Sequence, residues 1–272
     1  NKRAVVDLQG NRIFKQRITS LFIIERDPIQ DKPEIELYEA VSDYVSQFYD
    51  HARQQNNRTM MFLLLIFQRM VSSSSRAILK SLSIRLNVLQ EAKRGFKAQH
   101  QASSENDVDL ENLEEMAAEE QLQILDKHPA LKNYQLLDVE IRELEKCISL
   151  AQKATVGRND TKFLKLLEII DEFKIREHDP SLKFIVFTEF VETQRYLNDC
   201  LTSLGYQTAM IRGSMSSDDR LKEKRRFQDE AQFLISTDAG GEGINLQFCW
   251  IMINYDLPWN PMRLEQRIGR ID

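Results

Sequence analysis

Two arginines three positions apart, Arg267 and Arg270, lie in the stretch Leu264-Glu-Gln-Arg-Ile-Gly-Arg-Ile-Asp272. If this stretch is helical, that spacing puts both guanidinium groups on one face. A guanidinium stays charged and offers a planar fork that matches phosphate oxygens. Upstream, the apolar run from Phe233 opens into Thr237-Asp238 and a small-residue loop, Gly240-Gly241-Glu242-Gly243, followed by Asn245. Glycines allow close backbone approach, so main-chain amides can touch a ribose or a phosphate. Strand, glycine loop and paired arginines together predict a surface that holds the edge of a nucleoside triphosphate and neutralises charge on a transferring phosphoryl group. No Gly-x-x-x-x-Gly-Lys-Ser/Thr occurs in the chain, so a phosphate cradle of that kind is not among these residues.

These groups need an α/β frame to position them. Phe184-Ile-Val-Phe187 is a short apolar run of the kind found in a parallel sheet covered on both faces. Helical and strand patterns then alternate: helix 192–204, strand 208–211, helix 217–228 with Ser216 as N-cap, strand 233–236 and strand 250–254. An amphipathic helix over 162–173 precedes them. The alternation predicts a doubly wound parallel sheet with right-handed crossovers. Ligands in such sheets sit at the carboxyl ends of the strands, where Thr188, Arg212-Gly213-Ser214 and Thr237-Asp238 fall.

Five blocks in order resemble motifs of superfamily-2 helicases, in particular Swi/Snf-like double-stranded DNA translocases of bacterial type. Lys183-Phe-Ile-Val-Phe-Thr-Glu-Phe190 is similar to motif IV, and Arg212-Gly-Ser-Met-Ser216 with Arg220 and Phe227 to the strand–loop–helix after it. The string 233–247 resembles motif V, Asp256-Leu-Pro-Trp-Asn-Pro261 the Trp-Asn-Pro block, and 264–272 motif VI. The resemblance covers about 160–272 and implies a RecA-like second helicase lobe of P-loop-NTPase type. By the same resemblance Arg270 and Arg267 are catalytic, with Arg270 the safer assignment. Gly241, Gly243, Asn245 and Gln266 face ATP, and Thr188, Arg212, Gly213, Ser214, Thr237 and Asp238 contact the nucleic-acid backbone. ATP with Mg2+ is the implied cofactor, the metal ligands lying on a first lobe outside this chain. DNA, duplex or displaced strand, is the implied partner. The chain is expected to be a piece of a longer protein, truncated at both ends and inactive alone.

Upstream of the sheet the sequence reads differently. Residues 1–32 are expected to be a strand-rich lead-in, with a turn at Gly10-Asn11 and a β-type run at Leu21-Phe-Ile-Ile24. Residues 33–157 read as a helical insertion, with Ser72-Ser-Ser-Ser75 breaking one helix from the next and Leu136, Val139, Ile141, Leu144 and Ile148 as core positions. From His51 to Lys97 the basic residues Arg53, Arg58, Arg69, Arg76, Lys80, Arg85, Lys93, Arg94 and Lys97 face one acid, Glu91. The following stretch to Asp126 is acidic without Lys or Arg, and 98–112 is expected to be a mobile linker. Such a pairing fits DNA contact plus a solvated tether, two helices that pair with each other or face water, or a protein-docking surface through the insertion. Trp259-Asn260-Pro261 is expected to brace by packing.

The remaining chemistry is largely excluded. Cys147, Cys200 and Cys249 have no metal-ligand spacing, and His51, His100, His128 and His178 form no catalytic constellation. Three cysteines in no even set fit a reduced compartment. Met60 to Phe67 is too short to cross a membrane, and the resemblance implies a cytoplasmic, nucleoid-associated bacterial protein. Two rival readings stay open: a superfamily-2 lobe acting on RNA, and a non-catalytic docking module.

Overall fold

The computed structural model describes residues 18–98, 134–156, 160–238 and 244–271. The turn at Gly10-Asn11, the acidic segment beyond Ala98 and the helical reading over 113–133 lie outside them. Four long helices come first: α1 (Lys32–Gln54), α2 (Arg58–Ser73), α3 (Ser75–Ala98) and α4 (Tyr134–Thr155). Helix α1 starts with Pro33 in its first turn, where a missing amide hydrogen costs nothing, and α2 is capped by Asn57, whose side chain accepts from the Met60 amide at 3.0 Å. Ser74 alone separates α2 from α3, at the expected serine break.

The four helices share one apolar core, including Tyr44, Phe48, Leu64, Phe67, Leu82 and Leu144. In α4 the buried positions are Leu137, Ile141, Leu144, Cys147, Ala151 and Ala154, so Leu136, expected in the core, is only half-buried and Leu137 takes its place. The core also holds Arg85 and Glu140, both fully buried and bonded at 3.1 Å, with the Tyr44 hydroxyl donating to the same Glu140 oxygen at 2.9 Å.

The second part carries α5 (Thr161–Glu177), β1 (Phe184–Thr188), α6 (Val191–Ser203), β2 (Thr208–Ile211), α7 (Ser217–Asp229), β3 (Phe233–Thr237), β4 (Met252–Asn254) and α8 (Pro261–Ile268). The sheet is parallel throughout, in the order β2-β3-β1-β4. Strands β1 and β3 are buried at every position, as a two-sided parallel sheet requires. Phe184 and Val186 face α5 and α6 on one side, where Phe184 stacks on Phe233 at 5.4 Å. Ile185 and Phe187 face α7 and the segment 244–249 on the other. The expected α/β sandwich is therefore present, and Ser216 caps α7 by accepting from the Asp219 amide at 3.1 Å.

Two expectations fail here. Leu21–Ile24 forms no strand: residues 18–27 have no regular structure, and Leu21 and Ile23 are 82% and 75% exposed. A β-type run becomes a strand only where a second backbone pairs with it, and none of the described strands does. The strand expected over 250–254 is shorter, starting at Met252. Among the described residues no helix is long and apolar enough to cross a membrane.

The two parts are joined by polar contacts at helix ends. Asp160, at the N-cap position of α5, does not cap its own helix; its carboxylate accepts from the Ser75 amide at the start of α3, at 3.1 Å. Glu34 of α1 serves α5 instead, accepting from the Thr161 amide at 2.8 Å and its hydroxyl at 2.9 Å. Each N-terminus thus receives a carboxylate from the other part, which suits the partial positive charge of exposed helix amides.

Candidate functional site

All four strands point the same way, so Thr188, Arg212, Thr237-Asp238 and Asn254 lie along one edge of the sheet. Helix α8 crosses this edge. Asn260 caps it by accepting from the Met262 amide at 2.9 Å, with Pro261 in the first turn. The helix stops at Ile268 with Gly269 as C-cap, and Arg270 lies in the turn beyond. The expectation of two arginines on one helical face therefore fails, because the helix ends between them.

Arg267 points inward and is 3% exposed. Its Nε donates to Asp238 Oδ1 at 2.5 Å; its Nη1 donates to Asn254 Oδ1 at 2.7 Å and to the Asp256 carbonyl at 2.8 Å. The guanidinium also lies 5.1 Å from the Phe187 ring centroid. One side chain thus ties the ends of β1, β3 and β4 to α8. Asp238 is shared, since Arg263 approaches its other oxygen at 3.7 Å. Asp238, expected at a nucleic-acid backbone, is engaged by both arginines.

Arg270 is half-buried, and among the described residues its guanidinium has no hydrogen-bond or ion-pair partner. Its carbonyl accepts from the Leu246 amide at 3.0 Å, so the segment after the glycine loop is fastened to the turn that carries it. Gln266 and Asn245 are exposed. The Asn245 side chain accepts from the Gln247 amide at 3.0 Å in a local turn. Gly240, Gly241 and Gly243 lie outside the described residues.

The residues expected at nucleic acid divide in the same way. Arg212 is half-buried without a side-chain partner among the described residues, Gly213 presents its carbonyl to Arg220 Nη2 at 2.6 Å, and Ser214 is exposed. Thr188, by contrast, is fully buried, and its hydroxyl donates to Asp256 Oδ2 at 2.5 Å. Thr237 is 5% exposed, and its hydroxyl has no partner among the described residues. Buried polar groups are ordinarily paired; at this edge Thr237 Oγ1 and Arg267 Nη2 have no partner among the described residues.

Trp259 corrects the packing expectation. Its ring is 65% exposed, with the Arg69 guanidinium 5.6 Å from its centroid; Asn260 and Pro261 do the bracing by starting α8. The Trp259 amide donates to Glu189 Oε1 at 3.3 Å, and the other oxygen of Glu189 pairs with Arg69. Burial pushes the Glu189 carboxyl up, although the Arg69 charge opposes it.

Sequence reasoning missed Asp256 as an individual residue. Burial would raise its carboxyl, but the charge of Lys162 at 2.8 Å and donors from Lys162, Thr188 and Ser73 hold it below the ordinary carboxylate range. The one available signal was an acid directly after an apolar strand pattern, where a parallel sheet gathers its polar groups. Among the described residues no group of three or more His, Cys, Asp or Glu could hold a metal.

Known proteins match the sheet-bearing part. The helicase conserved C-terminal domain family matches residues 161–272. An uncharacterized ATP-dependent helicase of Bacillus subtilis is 50% identical over 111 residues, 41% of this chain and 19% of that protein. The ATP-dependent RNA helicase uap56 of Schizosaccharomyces pombe is 29% identical over 122 residues, 43% of this chain and 28% of that one. The chain thus spans under a third of the length of either relative. Among solved structures, the Sulfolobus solfataricus SWI2/SNF2 ATPase core in complex with double-stranded DNA is 20% identical, covering 71% of this chain and 36% of that chain at a TM-score of 0.37. The parallel sheet, the helices on both its faces and the arginine helix across its carboxyl edge all fall within residues 161–272, the part that the helicase conserved C-terminal domain family matches.

Proposed function

We propose that this chain supplies the second lobe of an ATP-dependent, Swi/Snf-like DNA translocase, preceded by a helical insertion that ends near residue 157. ATP is hydrolysed between this lobe and a first lobe in the longer protein, which provides the phosphate cradle and the ligands for Mg2+. Arg270 is the residue that meets the γ-phosphate. The observation that carries this reading is its guanidinium beside the segment 244–246, without a hydrogen-bond or ion-pair partner among the described residues, while Arg267 is buried and held by three acceptors. A guanidinium free of internal partners can follow charge that develops only in the transition state.

Within this reading Arg267 holds the edge in shape, and Asn245, Gln266 and the amides of the glycine loop at Gly241 and Gly243 face the nucleotide. Arg212, Gly213 and Ser214 meet nucleic-acid phosphates, a contact that positions without reading sequence. Thr188, Thr237 and Asp238 shape that surface from below. The exposed faces of the helical insertion are left for a protein partner.

The test is ATP hydrolysis by the full-length protein with duplex DNA, with an RNA hairpin and without nucleic acid. Stimulation by duplex DNA is the expected result. Stimulation by RNA alone would favour the reading suggested by the 29% identity to an RNA helicase, and no hydrolysis under any condition would favour a docking module. This chain by itself is expected to release no phosphate above background, since the cradle motif is absent from its sequence.

A further inference from the structure

The break between α2 and α3 is buried against the lobe, and its side chains converge on one carboxylate. Asp256, 7% exposed, accepts at Oδ2 from the Ser73 hydroxyl at 2.7 Å, the Thr188 hydroxyl at 2.5 Å and the Glu189 amide at 3.2 Å. Its Oδ1 accepts from Lys162 Nζ at 2.8 Å, and the same ammonium donates to the Ser72 carbonyl at 3.0 Å. Thr193 of α6 closes the cluster, lying 2.8 Å from the Ser73 hydroxyl and 3.0 Å from that of Ser74. The carbonyl of Asp256 is the one that holds Arg267. One residue therefore touches the helical part, the loop after β1, helix α5 and the arginine helix.

We propose that Asp256 is a positioning residue that couples the helical part to the nucleic-acid- and nucleotide-facing edge. This rests on the function proposed above for that edge. A buried carboxylate held by four donors has one favourable arrangement, because leaving a buried donor or acceptor unpaired costs about 1–3 kcal/mol. When the helical part moves Ser73, Asp256 must follow it or lose a partner. The Thr188–Glu189 loop and the carbonyl under Arg267 are fixed to the same residue, so they move with it. The helical insertion thus has a direct mechanical connection to both faces of the edge without touching substrate.

The test uses Asp256→Asn in the full-length protein, which keeps the shape and removes the charge facing Lys162. ATP hydrolysis is measured with and without duplex DNA, alongside amide exchange over 73–78, 188–190, 184–187 and β3. The expected result is a fall of about tenfold in DNA-stimulated turnover, within the range of ordinary coupling energies, while the DNA-independent rate and KM for ATP change by less than about twofold. Exchange should quicken at 73–78 and 188–190 together and stay slow in 184–187 and β3. Ser73→Ala, which removes one neutral donor, should give the same pattern more weakly, and it serves as the test if Asp256→Asn does not fold. Equal falls in both rates, loosening that includes 184–187 and β3, or unchanged stimulation would overturn the proposal. If the wild type shows no nucleic-acid-stimulated hydrolysis, the proposed function fails by itself. The connector then stands if 73–78 and 188–190 loosen together, and falls if they do not.

Discussion

The helical part and the sheet part each bury an arginine–carboxylate pair, and they do it for different ends. In the helical core Arg85 and Glu140 are both fully buried, with Tyr44 on the same carboxylate oxygen, and the cluster joins α1, α3 and α4. In the sheet part Arg267 and Asp238 are bonded at the carboxyl edge, and just beyond the same helix lies Arg270, whose guanidinium has no partner among the described residues. The first pair is enclosed by apolar side chains and organises packing only. The second is the inner wall of a surface that keeps a charge in reserve. A buried ion pair is thus no sign of function in itself; what matters is whether an unengaged group stands next to it.

The largest effect should come from separating Arg270 from Arg267. In the full-length protein Arg270→Ala should lower ATP turnover by about 10³-fold or more, the range of arginine fingers, with KM for ATP changed little. Arg270→Lys should restore little, because a point charge does not reproduce the planar fork. Thermal unfolding of both variants should match the wild type. Arg267→Ala should behave oppositely, lowering stability by about 3 kcal/mol because Asp238 is left as a buried charge with only the more distant Arg263. Near-normal turnover of Arg270→Ala at saturating ATP would end the comparison.

How much of this was legible in the sequence depends on the range of the interaction. Strands β1 and β3 were legible because two-sided burial demands unbroken apolar runs, and α7 because Ser216 and the helical pattern agree locally. Thr237-Asp238 and Arg267 do come together at the carboxyl edge of the sheet. What the spacing of Arg267 and Arg270 did not reveal is that the helix stops at Gly269, which turns one guanidinium inward and leaves the other out. Thr188 looked like a surface hydroxyl at a strand end; its burial depends on Asp256, a residue distant in sequence. Leu21–Ile24 had strand chemistry but no pairing backbone among the described strands. Trp259 looked like a packing residue because proline follows, yet the proline serves the start of α8 and leaves the ring out.

The helical pair sharpens the comparison from the other side. Glu140→Leu alone should destabilise the helical part by about 4 kcal/mol, since it strands a fully buried guanidinium. Replacing both partners, Arg85→Met with Glu140→Leu, should recover most of that loss, because apolar groups of similar size can occupy the site without a desolvation penalty. Amide exchange in α1 and α3 of the full-length protein reads the effect directly. ATP turnover should follow stability only. A double variant that stays as unstable as the single one would mean that Glu140 does more than neutralise Arg85.

Asp160 offers the smallest effect and tests where the two parts meet. Burial pushes its carboxyl up to about 6, against a weaker downward pull from the Ser75 amide and a further push from Glu34. The groups facing it are Ser75 and Arg76 of α3, Glu34 of α1, and Tyr196, whose hydroxyl accepts from the Asp160 amide at 2.7 Å. A folded-state pKa above the unfolded value near 3.8 gives stability that is complete below the unfolded value and is lost as pH rises through about 6. Across that window the ionisation costs about 3 kcal/mol, from 1.36 kcal/mol per pKa unit. Asp160→Asn keeps an oxygen acceptor for the Ser75 amide and removes the titration. Its unfolding midpoint should equal the wild type near pH 4 and exceed it at pH 8, with the gap opening between. A variant less stable than the wild type at pH 8 would show that the charge itself, acting on the amides at the start of α3, outweighs its burial cost.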